Sequence, residues 1–144
     1  MINARAETIR EKPSFRKLIA HTRTIIPVNG FYEWRRDKDN KATFYFTSSN
    51  QDALALAGIY QITHDGGMQC CIVTTDANSE MKPIHDRMPA LIPQHAMRDW
   101  LCSEDNSVID ALMQPAADDS LDVVEVSRYV NNASNEGKRC ITPV

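Results

Sequence analysis

Five short runs rich in β-branched and apolar residues constrain this chain more than any other feature of its sequence. They span 24–28, 43–47, 54–60, 68–75 and 121–126, and turn-forming residues separate the first four. Asn29-Gly30 follows the first run, 37–41 is a polar turn before the second, and Asp65-Gly66-Gly67 joins the third and fourth as a hairpin. Pro27 falls inside the first run and predicts an interrupted strand there. Helical spacing is scarcer. Pro13-Ser14 followed by Phe15, Leu18 and Ile19 predicts a short amphipathic helix ending near His21. Pro93 opens another, with Met97, Trp100 and Leu101 on one face, and 108–113 suggests a third. Strands outnumber helices and do not alternate with them as βαβ units would. The expected class is therefore α+β with a largely antiparallel sheet, in a single domain over residues 1–144.

No stretch approaches the roughly 20 apolar residues of a membrane span, and no signal-peptide pattern opens the sequence. The expectation is a cytoplasmic protein with no membrane partner. Cys70, Cys71, Cys102 and Cys140 include no CxxC pair, and adjacent strand residues point to opposite faces. Reduced, mostly buried thiols are expected. Without HxxxH, HExxH or CxxC no metal site is predicted, and without GxxxxGK[ST] or GxGxxG no nucleotide cofactor is. Charge is divided unevenly: residues 1–50 hold ten Lys/Arg against five Asp/Glu, whereas 51–144 hold six against fourteen. Such asymmetry fits a polyanion-binding face on an acidic body, and it fits an ordinary solvated surface as well.

Three stretches are chemically dense. Asn3-Ala4-Arg5-Ala6-Glu7-Thr8 offers a carboxamide and a phosphate-matching fork, although chain ends often fray. In Pro27-Val28-Asn29-Gly30-Phe31-Tyr32-Glu33-Trp34-Arg35 a carboxylate stands between aromatics, a setting that favours proton transfer. Trp34 beside Arg35 and Arg36 has the makings of a base-stacking surface. The same residues would also serve as a core strand with a paired Glu33. In Met81-Lys82-Pro83-Ile84-His85-Asp86-Arg87-Met88-Pro89 a histidine, able to exchange a proton near neutrality, sits between charges in a loop that two prolines stiffen. His21, His64 and His95 lack such settings and read as surface residues. No GxSxG nucleophile elbow occurs.

Taken in order, these stretches resemble the SRAP family, the SOS-response-associated peptidases. Asn3 to Thr8 is similar to its Asn-Ala-Arg-Ala/Ser-Glu segment, and residues 27–34 to its Pro-x-x-Gly-Phe-Tyr-Glu-Trp signature. Ala57-Gly58-Ile59-Tyr60, Thr74-Thr75, the Ile84-to-Pro89 loop, Val126-Ser127 and Val130-Asn131-Asn132 resemble later family segments, so the resemblance runs along nearly the whole chain. It implies a curved, barrel-like sheet with flanking helices. It implies a partner as well: single-stranded DNA carrying abasic sites, captured as a DNA–protein crosslink, with a nucleoid association when DNA is bound. Carried over residue by residue, Asn3 would hydrogen-bond the linkage, Glu33 would handle protons on the amine, and His85 would assist sugar-ring opening and crosslink reversal. Arg5 and Arg87 would hold flanking phosphates, and Trp34 would pack against the DNA.

One departure is concrete. The family opens Met-Cys-Gly-Arg several tens of residues before its Asn-Ala-Arg segment, whereas here Met1-Ile2 directly precedes Asn3. The resemblance thus implies an N-terminally truncated member without the nucleophilic cysteine, expected not to crosslink and to self-associate through an exposed edge. Two other readings stand beside the enzyme domain. One is a non-catalytic single-stranded-DNA-binding remnant, and the other a cysteine hydrolase using Cys70 or Cys71 with His85 and Glu33.

Overall fold

A computed structural model describes residues 3–35, 42–50 and 52–144; the polar turn expected at 37–41, and Arg36, lie outside the described residues. Among the described residues eight strands form two sheets, curled but not closed, with few helices. In chain order they are β1 (Asn3–Arg5), β2 (Arg23–Val28), β3 (Phe31–Trp34), β4 (Thr43–Ser48), β5 (Leu54–Ile62), β6 (Met68–Asp76), β7 (Arg87–Pro89) and β8 (Leu121–Val126). The helices are α1 (Arg16–His21), α2 (Met97–Cys102) and α3 (Asn106–Leu112). One sheet has the order β1-β6-β5-β2 with β7 also on β6, and the other has the order β3-β4-β8. Every pairing is antiparallel except β1 on β6. The α+β expectation and its curved sheet are both met.

The expected interruption at Pro27 does not occur. Strand β2 runs through it, with Pro27 opposite Ala55. The reason is position: β2 is the edge strand of its sheet, where the missing N–H of proline costs no ladder bond. The thiols also differ from expectation, since only Cys140 is buried while Cys70 and Cys102 are exposed and Cys71 is half-buried. The start of β6 reaches beyond the core with the free end of its hairpin, where Ile62 and Met68 stand opposite each other, both exposed.

Two apolar clusters hold the sheets. The first fills the back of the larger sheet, where Ala4, Ala57, Ile59 and Val73 meet Ile19 of α1, Trp100 of α2 and Ile109 of α3. Trp100 is fully buried and gives its indole N–H to the Thr24 carbonyl at 2.8 Å, so its one polar atom is satisfied. Arg23 ties both helices to β2 by donating to the Ile19, Ala20, Trp100 and Ser103 carbonyls, which are orphaned at helix ends. The second cluster lies where the sheets face each other and includes Phe44, Phe46, Leu54, Leu56, Met81, Met88 and Leu121.

One irregularity positions the site. Beyond Ile72 the β5–β6 hairpin opens, and the chain from Arg87 to Ile92 enters the gap. Its first part pairs with β6 (Thr74 with Pro89, Asp76 with Arg87), and Ala90 donates to the Val73 carbonyl at 2.9 Å. Its other side bonds β5, through Ala57 N–H to Ala90 O and Ile92 N–H to Ala55 O, both at 2.8 Å. Strand β7 is thus a wedge, and the loop before it emerges at the seam between the sheets.

Candidate active site

Strand β3 carries the first half of the site. Its residues alternate between two faces: Phe31 and Glu33 on one, Tyr32 and Trp34 on the other. The strand lies tight on β4. Phe31 stacks on Phe46 with centroids 5.1 Å apart, and Tyr32 meets Tyr45 at 4.9 Å on the opposite face. Gly30 permits this approach, because a Cβ there would come within 2.4 Å of the Phe46 carbonyl oxygen and 2.5 Å of the Tyr45 ring. Glu33, opposite Phe44, is thereby aimed inward at the seam.

The second half is the loop 77–86. Asn78 is buried and organises it, accepting from Met81 N–H through its side chain and from Lys82 N–H through its carbonyl. Its own N–H donates to the Met88 sulfur at 3.3 Å. The Met81 carbonyl then accepts from both Ile84 and His85, and Ala77 donates to Asp86 O at 3.0 Å. Met81 and Met88 sit in the core below. A loop so bonded holds its side chains in place.

These two halves bring Glu33 and His85 together. His85 Nε2 stands 3.9 Å from Glu33 Oε1, with the side chains 31% and 24% exposed, so both are shielded yet reachable. At 3.9 Å they are too far apart for a direct hydrogen bond, but one oxygen about 2.8 Å from each could lie between them. The far side of the imidazole is provided for in either protonation state. Arg87 N–H donates to Nδ1 at 3.1 Å when that nitrogen carries a lone pair. Arg87 O, 3.2 Å away, accepts when it carries a proton. Nε2 is therefore free to take or give a proton toward Glu33.

Around this pair the other expected residues take distinct places. Asn3 and Arg5 are exposed on β1, opposite in direction to the buried Ala4. By register Arg5 stands beside Thr74, and Thr74 and Asp76 share their face with Pro89 and Arg87. The five residues Asn3, Arg5, Thr74, Asp76 and Arg87 thus line one side of the sheet. No hydrogen bond joins Asn3 to Glu33 or His85 among the described residues. The Arg87 fork is already engaged: it binds both Glu7 carboxylate oxygens at 2.7 and 2.9 Å, Asp76 at 2.8 Å and the Thr74 carbonyl at 2.8 Å. Trp34 is on the outer face of β3, 40% exposed, and gives its indole N–H to Asn131 Oδ1 at 2.7 Å. The same oxygen accepts from Thr43 Oγ at 3.1 Å. Tyr32, on that face too, has its hydroxyl pKa raised by burial. Cys70 and Cys71 lie in the half of β6 that pairs with β5, away from the half that receives β7.

Sequence reasoning missed Glu7 and Asn131. Glu7 stands in the segment with Asn3 and Arg5, and Asn131 in the Val-Asn-Asn segment, so both were in view without a partner. Among the described residues no group of three or more His, Cys, Asp or Glu could hold a metal, and no helix is long and apolar enough to cross a membrane.

Comparison with known proteins gives one consistent picture. The family model described as SOS response associated peptidase (SRAP) matches residues 1–133. Abasic site processing protein YoqW of Bacillus subtilis is 38% identical over 98% of this chain and 66% of its own length. Abasic site processing protein YedK of Escherichia coli is 30% identical over the whole of this chain and 68% of its own. A crystal structure of a protein from Bacteroides thetaiotaomicron superposes with a TM-score of 0.88 at 32% identity, covering 99% of this chain and 65% of that one. The chain therefore spans about two thirds of the length of these relatives.

Proposed function

From the premise that this chain belongs to the SRAP family, we propose that it binds single-stranded DNA and opens the sugar of an abasic site between Glu33 and His85. The observation that carries this reading is the 3.9 Å gap between the carboxylate and the imidazole, with His85 Nδ1 served in both protonation states. An abasic deoxyribose is a cyclic hemiacetal. Glu33, as carboxylate, removes the proton from the O1 hydroxyl as the C1′=O1 double bond forms. The C1′–O4′ bond breaks, and protonated His85 gives its Nε2 proton to O4′. The product is the open-chain aldehyde, an isomer of the starting sugar, and solvent exchange restores both side chains. This is general acid–base catalysis by a positioned pair.

DNA is held from outside the pair. Arg5, exposed on β1, meets a phosphate on one side, and Trp34 offers its indole face to an unpaired base on the other. Arg87 shares the Arg5 face and reaches phosphate by exchanging its Glu7 or Asp76 partners; until then it keeps the His85 loop on β6. Asn3 lies on the same strand face as Arg5, where its carboxamide meets the opened sugar from the β1 side. Self-association belongs to the same proposal. The exposed Ile62–Met68 pair gives a second copy an apolar seat, expected to appear as a dimer in sedimentation.

The test uses the chain itself and an aminooxy probe that reacts only with the open aldehyde. Single-stranded DNA with one abasic site should form oxime faster with the protein than without it. Glu33→Gln and His85→Ala should each lower the accelerated rate by about 100-fold while binding persists. Equal oxime rates with and without the protein would sink the chemistry. Equal affinity for abasic and intact strands would sink the recognition.

A further inference from the structure

The acidic part of the sequence holds half of its cations in one segment. Of six Lys/Arg residues after position 50, three are Arg128, Lys138 and Arg139, and the segment 127–144 holds only Glu136 against them. The fold fixes this segment on the outer face of β3, the face of Trp34. Asn131 accepts the Trp34 indole N–H at 2.7 Å, and the Cys140 carbonyl accepts the Tyr32 hydroxyl at 3.4 Å. Val126 bridges to Pro143, and Val144 N–H donates to Glu125 O at 3.1 Å. Inside the segment, Asn135 donates its carboxamide N–H to Tyr129 O at 2.6 Å, while Ser127 caps the turn at Tyr129. The cations are thus carried on a bonded scaffold. Arg139 lies over the Tyr129 ring with its guanidinium carbon 4.2 Å from the centroid, while Arg128, Lys138 and Arg139 are exposed.

We propose that Trp34, the Tyr129–Arg139 stack and Lys138 form a track for single-stranded nucleic acid beyond the abasic-site pocket. The proposal rests on the DNA-binding reading above and extends it to residues on the other side of β3. A guanidinium stacked on a tyrosine keeps its edge for phosphate and its outer face for a base, and a neighbouring indole supplies the next platform. Lys138 adds a point charge to the backbone. These interactions are blind to sequence and to damage, so the track strengthens binding to intact and abasic strands alike.

The experiment is a salt titration of binding to a 15-nucleotide single strand, intact or with one central abasic site. The double variant K138Q/R139Q should bind both strands about tenfold more weakly at low salt. It should lower the slope of log affinity against log salt by about 1.4, about 0.7 for each phosphate no longer neutralised. Its ratio of abasic to intact affinity should stay that of the wild type. Arg98→Gln, which removes an exposed cation from α2, corrects for charge alone. A double variant whose slope matches that of Arg98→Gln overturns the track. A wild type without abasic preference but with the expected slope change overturns the pocket reading and leaves the track standing.

Discussion

The two faces of β3 place neighbouring residues in different surroundings. Glu33 points inward to His85, in a seam floored by methionines and closed by a loop with its own hydrogen-bond network. Trp34 points outward to Asn131, half in solvent and held by one oxygen shared with Thr43. In the proposed function, the alternation of a strand thus separates proton transfer from stacking within a single step along the chain. The fixed geometry of the inner face suits the proposed chemistry, because acid–base groups must stay within hydrogen-bond reach of one atom. The outer face tolerates variety, because a base of any kind can stack on an indole.

Removing what both faces share should have the largest effect. Gly30→Ala forces a Cβ against the Phe46 carbonyl and the Tyr45 ring, with no flexible end to yield at the backbone oxygen. A loss of about 3 kcal/mol in urea unfolding is expected, with both faces failing together. Trp34→Ala breaks the comparison on one side. Affinity for single strands should drop about tenfold, equally for intact and abasic DNA, while the oxime rate at saturating protein is unchanged. A fall in the saturated rate would show that the faces are coupled. The smallest effect belongs to Glu7. The donors of Arg87 hold its carboxyl below the usual carboxylate range. A lowered folded value gives stability that is present above about pH 4.3 and is lost as the pH falls through the folded value. Glu7→Gln should flatten that acid limb of a stability–pH curve. An unchanged limb would mean that the pair with Arg87 contributes nothing in solution.

Much of this was legible in the residues, for local reasons. The five runs became β2, β4, β5, β6 and β8 because β-branched patterning and turn residues act over a few positions. Phe15, Leu18 and Ile19 marked α1 in the same way. What escaped was settled at long range. Strand β7 holds only Arg87, Met88 and Pro89, with no strand signature, and forms because the opened hairpin offers it two edges. Cys70 lies in an apolar run that reads as core, yet its end projects beyond the packing elements. The convergence of Asn3, Glu33 and His85 was expected only through the family resemblance, as no spacing in the sequence encodes it. The structure brings Glu33 and His85 within 3.9 Å, while no hydrogen bond joins Asn3 to either among the described residues. Asn131 finds Trp34 across 97 positions, through a side chain that no periodicity marks.

The wedge formed by Arg87 to Ile92 has a kinetic consequence. A β5–β6 hairpin can zip from its Gly66 turn quickly, since its partners are close in sequence. It cannot finish. The last rungs on both strands belong to a segment that arrives later and must first close a longer loop, at a greater entropic cost. The site loop is tied to that segment, so Glu33 should acquire its histidine only in the final stage of folding. A chain stalled before that stage would have most of its sheet, with Glu33 and His85 still apart. Amide exchange at Ala57 and Ala90 should therefore report competence more faithfully than exchange at the hairpin's outer end.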